Sequence, residues 1–288
     1  MKVCIIVGSQ RSGTTLIGQI LGALPGALLI DEDDGLYDWT SAWLKSSDAK
    51  AVLLERAMEH ATRKYRNSNQ TALANPELLV LKAPNLTFNW QQLSGAEPRP
   101  VVVYSSRDIL SVTASLIRLA SRIPVIRNQL RLMRKHQIQL ATFDRELKWI
   151  EDESKPSELR LALIAMIKMA QFNHFKDAGL DVTPLGYEAL VKDPEKQTRR
   201  VCRALSLDWN IHCLEHDTIM QGHGPGRTDR SRKIDSNSIK KWHVMDKNLV
   251  SSIRYLAMQF AQRHGLLSDP VFMKAIPADQ AQQTSTRK

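Results

Sequence analysis

Eight residues near the start, Gly8-Ser9-Gln10-Arg11-Ser12-Gly13-Thr14-Thr15, carry the strongest chemical signal in the chain. They lie between a β-branched run, Lys2–Val7, and a stretch with apolar residues at helical spacing, Leu16, Ile17, Ile20 and Leu21. A strand that passes through a glycine turn into a helix leaves backbone N–H groups and the positive helix end facing an anion. The spacing fits the first six positions of GxxxxGK[ST] and puts Thr15 on the Ser/Thr position, but Thr14 stands where the lysine belongs. That lysine reaches the outer phosphates of a nucleoside triphosphate. Its absence argues against ATP or GTP hydrolysis and suggests a shorter anionic chain, with Arg11 supplying charge inside the loop. The bland alternative is an ordinary glycine turn capped by Thr.

Three further groups have chemical potential. Val101–Tyr104 runs into Ser105-Ser106-Arg107-Asp108, with Ser115 eight residues after Arg107. A helix rises about 1.5 Å per residue, so a serine two turns along it can meet an arginine reaching up from the strand end. Lys82 closes another apolar run in Lys82-Ala83-Pro84, and Asp31-Glu32-Asp33-Asp34 follows Ala27–Ile30. Clustered carboxylates raise one another's pKa, which suits a general base, although such runs are also simply solvated loops.

These groups need a frame. Short runs at Lys2–Val7, Ala27–Ile30, Leu78–Leu81, Val101–Tyr104 and Asp181–Leu185 read as strands. Helical spacing covers Gly13 onward, 36–66, 108–121, Glu158–Phe175, Pro194–Leu205 and Asp246–Arg263. Alternating strands and helices imply an α/β fold: one domain with a central parallel sheet flanked by helices and a P-loop-like strand–loop–helix start. The expected boundaries are a domain over residues 1–270 and a flexible tail over 271–288, of which 277–288 lacks apolar content.

With 288 residues, 43% hydrophobic and 24% charged, the chain has the make-up of a globular protein. No stretch reaches the length of a membrane span, and the opening apolar run is too short for a secretory signal. Cys4, Cys202 and Cys213 have neither disulfide-framework nor zinc spacing, which fits a reducing cytoplasm. Residues 118–148 hold eight basic and two acidic side chains, and 222–241 hold six and two, so these windows carry the whole net charge of +10. Local positive fields attract phosphate, sulfate, nucleic acid or anionic surfaces. The first window reads equally as a solvated helix face; the second, rich in glycine, reads as a loop that wraps an anion.

Arg11-Ser12-Gly13-Thr14-Thr15-Leu16 resembles the 5′-phosphosulfate loop of sulfotransferases that use 3′-phosphoadenosine 5′-phosphosulfate (PAPS), with Gln10 in place of the usual proline. Arg107 with Ser115 resembles that family's 3′-phosphate site, and Gly186-Tyr187-Glu188-Ala189-Leu190 its Tyr-Glu-Asp-Leu stretch, which implies Tyr187 near the adenine. Arg227-Thr228-Asp229-Arg230-Ser231-Arg232-Lys233 resembles the basic loop that closes over the nucleotide, implying Arg232 and Lys233 as 3′-phosphate ligands. Lys82-Ala83-Pro84 is similar to the family's Lys-x-Pro. Together these matches span residue 3 to about 243.

The resemblance implies in-line sulfuryl transfer from PAPS, leaving adenosine 3′,5′-bisphosphate (PAP). Positioning and positive charge from Arg11 and Lys82 would do most of the work, with no metal. Many aryl sulfotransferases place a histidine two residues after the lysine, where this chain has Pro84. Glu32, 21 residues after Arg11, is similar to the base of the tyrosylprotein branch, with Asp31 and Asp33 as alternatives. The competing readings are a P-loop small-molecule kinase using ATP and Mg²⁺ and a basic nucleic-acid-binding protein. The latter lacks a recognisable motif or aromatics interleaved with the basic windows. The expected partner is a small-molecule, saccharide or lipid-like acceptor, not nucleic acid. Residues 36–75 and 118–155, with Trp39, Trp43 and Trp149, are the expected lids over it, and the oligomeric state stays open.

Overall fold

The computed structural model describes residues 1–276 except 33–35, 47, 65–75, 221, 225–227 and 240. Five strands, β1 (Lys2–Gly8), β2 (Ala27–Ile30), β3 (Leu78–Lys82), β4 (Val101–Ser106) and β5 (Val182–Gly186), form one parallel sheet in the order β2-β3-β1-β4-β5. Buried on both faces, β1 reads as an uninterrupted apolar run rather than an alternating one. Its two faces serve different cores. Val3, Ile5 and Val7 pack with Leu36, Trp43, Leu53 and Phe175, whereas Cys4 and Ile6 pack with Ile17, Ile20 and Val201.

The helices follow from the same logic. On one side lie α1 (Thr14–Gly22), and further along the chain α10 (Tyr187–Lys192), α11 (Pro194–Ala204) and α12 (His216–Ile219). On the other lie α2 (Leu36–Trp43), α3 (Ala49–Lys64), α4 (Trp90–Ser94) and α9 (Phe172–Asp177). A third cluster joins α5 (Ile109–Ala120), α6 (Val125–Arg134), α7 (Asp144–Glu151), α8 (Ser157–Met169), α13 (Lys247–Arg263) and α14 (Pro270–Lys274). In α8 every side chain from Leu161 to Met169 is buried, as its nearly unbroken apolar surface requires. Two short strands, β6 (His223–Gly224) and β7 (Thr228–Asp229), pair antiparallel, and β7 opens a strap that runs on to Trp242.

Several boundaries depart from the sequence reading. The stretch 36–66 is two helices, α2 and α3, and 158–175 breaks into α8 and α9 around Gln171. Past residue 270, Val271, Phe272, Ala275 and Ile276 are buried, and 277–288 lies outside the described residues. Among the described residues no single helix is long and apolar enough to cross a membrane.

Strand register fixes what meets at the sheet's C-terminal edge. Ile6 stands beside Lys82 and Gly8 beside Ser105, so the glycine turn, the end of β3 and the end of β4 converge. This is where strand order reverses direction around β1, the crevice in which open α/β sheets bind ligands.

Candidate active site

The turn after β1 can form only with glycine at its two ends. Gly8 has φ +126°, and a Cβ there would lie 2.2 Å from the Ser105 carbonyl oxygen. At Gly13, with φ +97°, a Cβ would lie 2.4 Å from Cδ2 of Tyr187. Between them Arg11 adopts φ +69°, a conformation that costs energy for any side-chain-bearing residue. The surroundings hold it there. The Arg107 guanidinium donates from Nη1 to the Arg11 carbonyl at 3.1 Å, and Ser12 donates its hydroxyl to the Ser9 carbonyl at 2.6 Å and lies 3.0 Å from Ser105 Oγ.

Two cavities open on this turn. The first is lined by Arg11, Gly13, Thr14, Thr15, Arg107, Ser115, Tyr187, Arg232 and Lys233, nine of the ten residues expected to hold a nucleotide. Ser12 is the exception: it is fully buried and braces the loop from behind. Ser115 serves Arg11 as well, accepting from its Nε at 2.9 Å. Arg107 lies over the Tyr187 ring, 4.3 Å from the centroid, and donates its other terminal nitrogen to the Ser238 carbonyl of the strap.

The electrostatics of this cavity ask for an anion. Burial, then the charges of Arg107 and Arg118, pull the Arg11 guanidinium below its ordinary range. Burial, then Arg232, Arg118 and Arg107, do the same to the Lys241 ammonium. Arg232 is paired to Asp235 at 2.6 Å. The Nε of Arg107 is buried without a hydrogen-bond acceptor, its closest carboxylate being Glu188 at 4.0 Å. A phosphate- or sulfate-bearing ligand fits this set of donors.

Sequence reasoning missed Arg118 and Lys241 on this wall. Arg118 follows Ser115 by three residues on α5, so helical spacing alone would have placed it on the same face. Lys241 sits in the second basic window, in the Lys240-Lys241-Trp242-His243 stretch that continues the resemblance to the basic loop, without being singled out there as a ligand. Arg227 of that loop lies outside the described residues.

The second cavity holds Glu32, Lys82, Pro84, Asn85, Leu116, Leu119, Ile123 and Val125, and shares Arg11, Thr14 and Thr15 with the first. Lys82, only 2% exposed, pairs with Asp31 at 2.7 Å and more closely with Glu32 Oε2. Glu32 also accepts from the Tyr37 hydroxyl at 2.7 Å. The Asp31 carboxylate is clamped a second time by Arg230 of the strap, at 2.9 Å. Burial alone would raise its pKa; the two cations and the Glu32 N–H outweigh that and hold it below the usual carboxylate range. Of the three acids considered, Glu32 therefore faces the cavity, Asp31 is a buried anchor, and Asp33 lies outside the described residues. Among those residues no group of three His, Cys, Asp or Glu is arranged to hold a metal ion.

The expected lids prove more structural than expected. Trp43 is buried, its indole N–H donating to the Glu97 carbonyl at 2.8 Å, and Trp149 packs on the third core cluster; the Trp39 side chain lies outside the description. Of the 118–155 segment, Leu119, Ile123, Val125, Asn128 and Gln129 reach the second cavity.

Behind both cavities Lys168 is completely buried. Its ammonium donates to Gln10 Oε1 at 2.7 Å, Asn85 Oδ1 at 3.2 Å and the Pro84 carbonyl at 3.3 Å. It ties the glycine turn to the segment after Lys82. Burial lowers its pKa to about 7, with Glu32 opposing the shift.

The profile of the sulfotransferase family matches residues 4–210. Two solved structures are similar to the whole chain. A sulfotransferase domain from the curacin biosynthetic pathway is 16% identical, with a TM-score of 0.51 over 90% of this chain and 97% of that one. A sulfotransferase domain from the Synechococcus PCC 7002 olefin synthase is 15% identical, with a TM-score of 0.49 over 89% and 94%. No curated protein sequence matches the chain. The first likeness extends the α/β architecture to the segments beyond residue 210.

Proposed function

Because the chain belongs to the sulfotransferase family, we propose that it moves a sulfuryl group from PAPS to the hydroxyl or amine of an acceptor, without a metal. One observation carries this reading: the cation-rich cavity and the cavity of Glu32 and Lys82 meet at Arg11, Thr14 and Thr15. A donor and an acceptor bound on either side of that loop would face each other across it.

Arg107, Ser115, Arg118, Arg232 and Lys233 would hold the ribose phosphate, Tyr187 the adenine, and the loop from Arg11 to Thr15 the 5′ end. PAPS, when bound, supplies the sulfuryl group that is transferred. The chain's own part is positioning, charge and proton movement. Arg11 would bring positive charge to both cavities and Lys82 to the acceptor side. Glu32 takes the acceptor's proton on a carboxylate oxygen; each oxygen, although already accepting from Tyr37 or Lys82, keeps a second lone pair. Tyr37 and Lys82 hold the carboxylate's orientation, which general-base catalysis demands before any matching of pKa. The kinase alternative, which would draw its Mg²⁺-binding acid from Asp31–Asp34, has no comparable support: Asp31 is held between Lys82 and Arg230, Glu32 is paired with Lys82, and residues 33 and 34 lie outside the described residues.

Isothermal titration with PAP, with and without EDTA, tests the reading. The expected result is micromolar binding that EDTA leaves unchanged and that Arg107→Ala weakens at least about tenfold. Binding of ATP in preference to PAP, dependent on Mg²⁺, would overturn it.

A further inference from the structure

The cavity of Glu32 and Lys82 does not end at the sheet. Two of its wall residues, Ile123 and Val125, also form the inner end of a second, open groove between α6 and the start of α8. Helix α6 explains the groove. Val125, Gln129 and Met133, four apart, face the core and are buried. Ile126 and Leu130 form a second stripe that stays half-buried and floors the groove with Ile117 and Leu161. Arg127, Arg131 and Lys135 form a third stripe along its rim.

A surface helix with one apolar face needs only the first stripe. The second leaves apolar surface open, and Ile123 at its mouth is 43% exposed. The groove also carries a net positive charge, with Arg127, Arg131, Arg134, Lys135 and Arg160 against Glu151 and Glu153. Arg134 is met by Glu151 at 3.0 Å, whereas Arg127, Arg131 and Lys135 form no ion pair among the described residues.

We propose that this groove seats the far part of the acceptor, and that the acceptor is an anionic amphiphile. Its reacting hydroxyl enters the Glu32 cavity, an aliphatic chain lies over Ile126 and Leu130, and a terminal carboxylate or phosphate meets Arg127, Arg131 and Lys135. The assignment rests on the sulfotransferase reading. Along α6, Val125 and Arg131 are six residues apart and Val125 and Lys135 ten, so the chain must span about 9 to 15 Å. A medium-length alkyl chain does so.

The test measures binding to the full-length protein saturated with PAP, by calorimetry at low salt. The probes are 12-hydroxydodecanoate, 12-hydroxydodecyl phosphate and the neutral 1,12-dodecanediol. Both anions should bind about tenfold or more tightly than the diol, a gap that narrows at high salt as exposed charges are screened. The tighter of the two anions identifies the terminal group. The double variant Arg127→Gln/Arg131→Gln, on exposed positions, should erase the gap while leaving PAP affinity and melting temperature unchanged. Leu130→Gln should weaken all three probes together. PAP binding with no preference for the anions, or a preference that survives the double variant, would overturn the acceptor assignment alone. Failure to bind PAP would overturn the reading beneath it as well.

Discussion

Replacing Gly13 with alanine perturbs the site at its tightest point, and the structure sets the size of the effect. At φ +97° an alanine carries left-handed strain of about 1–2 kcal/mol whether or not ligand is bound. The added Cβ would also sit 2.4 Å from Tyr187 Cδ2, so the ring must move. That ring supports the Arg107 guanidinium at 4.3 Å, a cation–π contact worth about 0.5–2 kcal/mol in a partly desolvated site. Urea unfolding should therefore show a loss of about 1–2 kcal/mol from strain. Titration with PAP should show affinity weakened about tenfold from the displaced ring, since 1.4 kcal/mol is a factor of ten. The double variant Gly13→Ala/Tyr187→Ala separates the two effects. With the ring removed, Gly13→Ala should cost stability as before but add little to the loss of affinity, a non-additivity of about 1 kcal/mol in the binding cycle. Strict additivity in that cycle would refute the argument that Gly13 acts through Tyr187.

Other outcomes follow from the second cavity and its supports. Glu32→Gln should leave PAP affinity intact and lower kcat by about a hundredfold or more, the scale of general-base catalysis; unchanged turnover would remove Glu32 from that role. Lys168→Met should flatten the pH dependence of stability. With a folded pKa of about 7 against 10.5 for the free side chain, the unfolded state binds more protons between those values, so the Lys168 contribution makes stability rise with pH across that window. From pH 6.5 to 8.5 the wild type should gain about 2 kcal/mol on the variant in urea titrations, and a constant difference would contradict this. Arg230→Ala removes one of two clamps on buried Asp31 and should cost about 1–3 kcal/mol in unfolding, with weaker PAP binding as the strap loosens.

Much of the frame was legible because it follows from periodicity. The five strands are short apolar runs, and a parallel sheet covered on both faces leaves that pattern intact in sequence. The phosphate loop was legible because two glycines at fixed spacing answer a steric demand, visible as the Cβ contacts at Gly8 and Gly13. What stayed hidden depended on the third dimension. Ser12 reads like a ligand but turns inward because Ser105 of β4 lies behind it. Trp43 reads like a pocket wall but fills the core beneath α2. Nothing near Lys168 in the chain marks it as buried polar support for residue 10, since Gln10, Pro84 and Asn85 come together only once β1 and β3 lie side by side.

The cation-rich cavity is assembled from two parts of the chain, and Arg107 couples them. The family match ends at residue 210, yet Thr228, Arg232, Lys233, Ser238 and Lys241 of the strap form one wall. Contacts that hold these residues include Arg230 on Asp31, Trp242 on Asp108 at 2.8 Å, Arg11 on the Thr228 hydroxyl at 3.5 Å, and Arg107 on the Ser238 carbonyl. Arg107 alone among them also holds the Arg11 carbonyl, so one buried guanidinium sets both the strained loop and the strap. A cluster of like charges opposes closing that wall until an anion is present, since Lys241 is opposed by Arg232, Arg118 and Arg107. An anion between the two walls removes that opposition, so its binding should tighten the strap against the sheet. Hydrogen exchange along residues 228–242 should therefore slow on adding PAP in the wild type and stay fast in Arg107→Ala, at PAP concentrations high enough to saturate the variant. Protection gained equally by both proteins would show that the strap closes without this arginine.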